Sequence, residues 1–478
     1  MTGALGRELD AALARFGPDL AAIDASGALR FADLDRAADA VAAALAGGMA
    51  NEPVIVQVSN RAVDLAAFLG VWRAGGVVVP AHRAMPPAVL DALLRTTGIR
   101  RVVDGAAAQP VRHVADRPPP ERPLLADAAF VIFTSGSSGQ PKGVVLGHDA
   151  FAGKLAAIDS WLGFGRASRV LLVLQITFSF GIWNALLALL RGGLLVLEEK
   201  FEPDATIAAI NRHAVTVAAL VPTMLRGLLA RFAADAPLAP SLRQILTGGE
   251  PLSAGLTEPL ARRFPGAELI DIYGLTETST CDLLLAATGA ARDPAILGRP
   301  TPQVACRIVD ADGHDVADDA IGELELRSAF AMRGYLDAPE LTAAAFRDGW
   351  LRTGDLARRA PDGRIALAGR AKELIVRGAN KIAPLEIEQA MQRHPEVAAA
   401  LATGVPDALM GERIHLLILA RAGARPTEAA LRDWAARHLE RYKRPDVIHF
   451  GDALPVGRTG KADRAQLRAL IESGALGG

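Results

Sequence analysis

Short runs of β-type apolar residues at 54–58, 77–79, 130–133, 170–174, 194–197, 217–220 and 269–272 alternate with helix-length segments rich in Ala and Leu. Unbroken apolar runs of this length suit strands buried on both faces, as in parallel sheets covered by helices. The expected fold class is therefore α/β, with layered sheets in a large N-terminal domain. Ligands of such sheets gather at the carboxyl ends of the strands, so loops that follow the apolar runs are expected at one end of one sheet. Past residue 369 the texture changes to a helix start at Pro384, a β-type run at 414–419, a helix at 427–439 and a strand at 447–450, which predicts a smaller α+β domain. In Pro384-Leu385-Glu386-Ile387-Glu388 the early proline and the two carboxylates read as a helix start. Residues 117–123 carry four prolines and are expected to form an extended connector before the strand at 130–133.

Several classes are excluded. With 478 residues, Lys+Arg 52 against Asp+Glu 53 and a net charge of −1, the chain has no global electrostatic footprint for nucleic acid or an anionic membrane. Cys281 and Cys306 are too few for a disulfide framework or a cysteine-based zinc site. Glu8 and Asp10 interrupt any signal-like run, so a cytoplasmic protein is expected. The stretch 170–190 has no formal charge, but Gln175, Thr177, Ser179 and Asn184 suit a strand, loop and helix of a buried core better than a membrane span.

Four clusters carry chemistry. Thr134-Ser135-Gly136-Ser137-Ser138-Gly139-Gln140-Pro141-Lys142-Gly143 follows a buried strand; its glycines let backbone N–H groups approach an anion, its hydroxyls add donors and Lys142 adds charge. It lacks the glycine-lysine order of the nucleotide-hydrolase P-loop, and the same composition would serve a plain surface loop. Thr247-Gly248-Gly249-Glu250-Pro251 and Asp271-Ile272-Tyr273-Gly274-Leu275-Thr276-Glu277 each follow an apolar run. Tyr273 offers a ring for an adenine, Thr276 a hydroxyl for a phosphate and Glu277 a hard oxygen for Mg²⁺, although Thr276 would equally cap a helix. Thr353-Gly354-Asp355, with Gly369-Arg370 after it, offers a carboxylate for two ribose hydroxyls or merely a turn residue. The glycine-flexed segment 455–464 carries Lys461, in isolation an ordinary surface lysine.

Taken in order, these motifs resemble the acyl-adenylate-forming (AMP-binding) enzymes: acyl- and aryl-CoA ligases, stand-alone adenylation domains and luciferases. The resemblance covers nearly the whole chain, including Gly369-Arg370-Ala371-Lys372-Glu373-Leu374-Ile375 and Gly460-Lys461. It implies a large N-terminal domain over residues 1–371 and a small mobile C-terminal domain over 372–478 with a hinge at Lys372. It also implies a phosphate loop at 134–142 and adenine contacts from Gly249, Glu250, Pro251, Asp271, Ile272, Tyr273 and Gly274. Thr276 and Glu277 would serve the α-phosphate and Mg²⁺, Asp355 and Arg370 the ribose, and Lys461 the reacting carboxylate and α-phosphate. The implied reaction is ATP-dependent activation of a small carboxylic acid to acyl-AMP with release of pyrophosphate. Transfer to CoA would follow, the alternative acceptor being a carrier protein acting in trans; a homodimer stays open.

The implied acid pocket begins at Thr177-Phe178-Ser179-Phe180-Gly181-Ile182-Trp183-Asn184, with Phe178, Ser179, Phe180, Asn184, Gly248 and Gly274 as candidate substrate contacts. Amino-acid-activating members carry Asp where this chain has Ser179; a buried ammonium without a carboxylate is costly, so α-amino acids are disfavoured and an aryl or compact apolar acid is expected. Phe178 and Phe180 would also suit a plain core. The implied CoA path departs from the family pattern: Gly378 is followed by Ala379 where a glycine is expected, which weakens the case for thioester formation relative to adenylation.

Overall fold

The computed structural model describes residues 3–45, 49–114, 120–135, 141–232, 236–250, 252, 254–287, 296–377, 380–407, 409–457 and 462–476. The Val-, Leu- and Ile-rich runs form the expected buried strands. Leu20–Asp24, Leu194–Leu197, Arg169–Leu172, Val217–Ala219, Gln244–Gly248 and Glu268–Tyr273 lie side by side and parallel. Helices Ser179–Leu190, Pro203–Arg212, Pro222–Arg231 and Ala254–Arg263 make the crossovers. All four residues of Leu194–Leu197 are buried, as a strand covered on both faces requires. The stretch 170–190 is thus a strand, a loop and a helix, and no helix among the described residues is long and apolar enough to cross a membrane.

Beyond Glu268–Tyr273 the same sheet continues antiparallel through Leu283–Ala287, Ile296–Pro300, Ile365–Arg370, Trp350–Arg359, Gly322–Ser328 and Val304–Val309. Gly322–Ser328 (GELELRS) alternates apolar and charged residues and so lacks the unbroken apolar signature. A second sheet runs in the order Gly334–Tyr335, Pro141–Gly147, Ala128–Ser135, Val77–His82, Pro53–Val58, Arg101–Val103 and Val111–His113. The Ser/Gly loop therefore springs from a different sheet than the loops after Gln244–Gly248 and Glu268–Tyr273, which corrects the expectation of one shared sheet end.

One continuous core takes side chains from both sheets. At its centre Trp72 meets Phe130 edge-on at 5.1 Å, and Phe130 meets Phe68 at 5.7 Å and Phe151 at 5.3 Å. Trp72 also donates its indole N–H to the Ala129 carbonyl at 2.8 Å.

The remainder forms a smaller α+β unit. Ile375–Arg377, Asn380–Ile382, Val397–Asp407, Gly411–Ala420 and Val447–Phe450 make a five-stranded sheet, packed by helices Pro384–Gln392 and Glu428–His438 around a core of their own. Thr427 caps the second helix by accepting from the Ala430 amide at 3.2 Å. Pro384 opens the first helix as expected, but Glu388 does not merely face its dipole: it is buried, pairs with Arg464 at 2.8 Å and accepts from the Ala402 amide at 2.8 Å.

His148, at the first turn of helix His148–Leu162, is buried edge-on against Trp72 at 5.3 Å. Burial pushes its imidazole down from 6.5 to about 4. As the pH falls through 6.5 the unfolded chain takes up this proton first, so stability is lost between pH 6.5 and pH 4. Chemical denaturation of His148→Gln against the parent across this window is expected to show a difference that grows by up to about 3 kcal/mol. Parallel stability curves would contradict the assignment.

Candidate active site

The strands Ala128–Ser135 and Pro141–Gly147 form an antiparallel hairpin with Thr134 opposite Lys142 and Phe133 opposite Gly143. Gly136, Ser137, Ser138 and Gly139 lie outside the described residues, as does the side chain of Ser135. On the open edge of the hairpin Gly334 pairs with Val145 and Tyr335 with Val144, and the Leu336 amide donates to the Gly143 carbonyl at 2.7 Å. At its other end the same segment reaches the other sheet, where the Met332 amide donates to the Glu277 carbonyl at 2.6 Å. Residues 332–336 thus strap the phosphate-type hairpin to the turn that follows Glu268–Tyr273.

That turn is built tightly. A Cβ on Gly274 would stand 2.2 Å from the Cys281 amide nitrogen, so the loop closes on itself only with glycine there. Ser279, Thr280 and Cys281 hold φ of 60°, 68° and 50°, three successive non-glycine residues in the left-handed region, where each conformation is strained. Asp282 over-determines them: it accepts from the Leu275 amide at 3.3 Å and from the Thr278 hydroxyl, and it pairs with the buried Lys154 ammonium at 2.8 Å. The turn presents Thr276 and Glu277. Glu277 Oε1 accepts from the Tyr335 hydroxyl at 2.9 Å, and the Lys142 ammonium lies 5.0 Å above the Tyr335 ring.

In the parallel register Thr247 stands beside Asp271 and Gly248 beside Ile272, which brings the two glycine-containing loops together. A Cβ on Gly248 would lie 2.2 Å from the Ile272 carbonyl oxygen, so this approach also requires glycine. Glu250 is turned away into the protein: its carboxylate pairs with Arg226 at 3.0 Å and accepts from Thr223 at 2.9 Å. Its side chain is thus engaged inside the protein. Pro251 lies outside the described residues.

Asp355 and Arg370 are cross-strand partners, with Arg370 Nε 2.9 Å from the Asp355 carboxylate, while the Tyr273 hydroxyl donates to the second carboxylate oxygen at 2.6 Å. Burial raises the Asp355 carboxyl and the Arg370 charge opposes it. Burial and the Asp355 charge push the Tyr273 phenol well above its ordinary value, so it remains a donor.

Ser179 opens helix Ser179–Leu190, and its hydroxyl lies 3.3 Å from the Thr276 hydroxyl. Phe180 stacks on Trp183 with centroids 5.7 Å apart, whereas Phe178 is exposed, so the two phenylalanines do not share one core role. Asn184 is buried; it donates to the Phe180 carbonyl at 2.8 Å.

A cleft of about 390 Å³ gathers Lys142, Glu277, Tyr335, Thr353 and Lys372. Burial, with the charges of Lys142 and Arg370, lowers the Lys372 ammonium. Gly378, Ala379 and Lys461 lie outside the described residues.

Tyr335, Lys154 and Asp282 were missed in the sequence. Lys154 carried a signal: with Phe151, Leu155 and Ile158 it occupies the apolar stripe of its helix, where a lysine requires a buried partner. Lys154→Met and Asp282→Asn are each expected to lower stability by roughly 3–5 kcal/mol, because each leaves its partner buried and uncompensated. In denaturant unfolding the double variant should lose less than the sum of the single losses; strict additivity would contradict the pairing.

The family model described as AMP-binding enzyme matches residues 9–336, and that described as AMP-binding enzyme C-terminal domain matches residues 386–461. The chain is similar to the sulfoacetate–CoA ligase of Cupriavidus necator, at 34% identity over 89% of this chain and 88% of the relative. It is also similar to the indoleacetate–CoA ligase of Aromatoleum aromaticum, at 32% identity over 74% and 68% of the two chains. Among solved structures, ATP-bound MatB from Rhodopseudomonas palustris superposes with a TM-score of 0.85 at 26% identity, covering 99% of each chain.

Proposed function

The chain belongs to the acyl-adenylate-forming (AMP-binding) enzymes, and we propose that it is an AMP-forming acid–thiol ligase that activates a small carboxylic acid with ATP and passes the acyl group to CoA. The observation that carries this reading is the 3.3 Å approach of Ser179, at the mouth of the acid motif, to Thr276 on the turn beside Glu277. In this reading the contact would set the acid end against the phosphate end. The names of the two ligases cited above, acting on sulfoacetate and indoleacetate, supply the analogy for a CoA acceptor.

The reaction asks for charge control. A carboxylate is a weak nucleophile that the polyphosphate repels, so the protein must neutralise phosphate charge and hold the carboxylate in line with the α-phosphorus. In this proposal the 134–142 segment with Lys142 cradles the phosphates, and Thr276 donates its hydroxyl to the α-phosphate. Tyr273 and the backbone of Gly249–Glu250, with Asp271, Ile272 and Gly274, frame the adenine. Asp355, paired with Arg370, accepts from the ribose hydroxyls. Glu277 fits Mg²⁺: it is a hard oxygen donor lining the cleft, and among the described residues Tyr335 is its one side-chain donor. The ion when bound would offset phosphate charge.

Lys461 supplies the point charge between carboxylate and α-phosphate. The boundary between residues 371 and 372 then serves as a hinge at Lys372, across which the small domain exchanges Lys461 for the segment with Gly378 and Ala379 on the CoA path. Ser179 in place of an aspartate, with the Phe180–Trp183 stack behind it, favours an aryl or compact acid without an ammonium group.

Pyrophosphate release with ATP and Mg²⁺, measured over benzoates, arylacetates, sulfoacetate, short fatty acids and amino acids with and without CoA, is expected to select one acid and to rise with CoA. No acid-dependent release with any of them would refute the reading. Lys461→Ala is expected to slow adenylation by about 10²–10³ while calorimetric ATP binding persists. Equal rates in variant and parent would remove Lys461 from the reaction.

A further inference from the structure

Tyr335 sits where the two sheets are strapped together, and both of its functional parts point at residues of the nucleotide end. Its hydroxyl donates to Glu277 at 2.9 Å, its ring lies 5.0 Å beneath the Lys142 ammonium, and all three side chains line the same cleft. A buried ring would pack equally well as phenylalanine. The hydroxyl needs a partner when buried, and here that partner is the carboxylate lining the cleft. The face of the ring meanwhile offers a cation a seat that is attractive without being a hydrogen-bond acceptor, so the lysine keeps all three of its N–H donors for an anion. The backbone fixes the side chain itself: Tyr335 pairs with Val144, and its amide donates to the Thr342 hydroxyl at 2.8 Å.

We infer that Tyr335 is a positioning residue of the nucleotide site, orienting the Glu277 carboxylate through its hydroxyl and the Lys142 ammonium through its ring. One side chain thereby sets the spacing between the anionic group that would meet the metal and the cationic group that would meet the phosphates. Burial and the Glu277 charge raise the Tyr335 phenol above its ordinary value, so the donor is present at every working pH. The inference rests on the reading of Glu277 and Lys142 given under the proposed function.

The test separates ring from hydroxyl and one reading from the other. ATP binding to the full-length protein is measured by calorimetry in EDTA and in saturating Mg²⁺ for the parent, Tyr335→Phe, Tyr335→Leu and Glu277→Gln, with thermal melts confirming that each is folded. Tyr335→Phe is expected to lose about tenfold of the Mg²⁺-dependent gain in affinity while its metal-free affinity stays within about twofold of the parent. Tyr335→Leu, if folded, should weaken metal-free binding as well, because Lys142 loses its seat; retention of metal-free affinity would overturn the ring's part. If Glu277→Gln loses the Mg²⁺ gain and Tyr335→Phe keeps it, the hydroxyl does not position Glu277 and the inference falls. If Tyr335→Phe weakens both conditions equally, the residue is a packing residue and the inference also falls. If Glu277→Gln itself keeps the Mg²⁺ gain, the assignment of Glu277 to the metal fails, and the inference fails with it.

Discussion

The phosphate-type hairpin and the turn bearing Glu277 grow from separate sheets, so their mutual distance is not set by any strand register they share. It is set by residues 332–336, which pair with Pro141–Gly147 through Gly334 and Tyr335 and reach the Glu277 carbonyl through the Met332 amide. Backbone hydrogen bonds at both ends make this strap stiff, and the core between the sheets gives it something rigid to hold. Lys142, on the hairpin, and Glu277, on the turn, are the two cleft residues that this junction ties together.

Charge is used in two ways. Lys154–Asp282 is buried and remote from solvent, and its work is to lock a turn whose three left-handed residues would otherwise relax. Asp355–Arg370 differs: its carboxylate is buried while its guanidinium is exposed, and it also accepts from Tyr273. Contacts from two sides hold the orientation of this carboxylate. The first pair holds the scaffold of the turn, and the second leaves its guanidinium exposed.

The seven apolar runs were legible because strands covered on both faces need no alternation, and each became a strand within three residues of its expected bounds. Much of the antiparallel half of the large sheet was not, since strands such as Trp350–Arg359 mix buried with partly exposed residues and carry charges that read as loop. The site motifs were legible as residue types. Their assembly on two sheets was not, because nothing in a linear pattern reveals that Gly334–Tyr335 adds to the edge of a distant hairpin. Glu250 shows the converse: it lies within a recognised motif, yet its side chain serves an internal ion pair with Arg226.

In the proposed reaction a carboxylate oxygen attacks the α-phosphorus. It is tested most directly with the acid that supports turnover, labelled with ¹⁸O in its carboxyl group, followed by mass spectrometry of the nucleotide product. The account predicts AMP carrying one ¹⁸O and unlabelled pyrophosphate. Label in orthophosphate with ADP as the nucleotide product would mean attack at the γ-phosphorus and would contradict it.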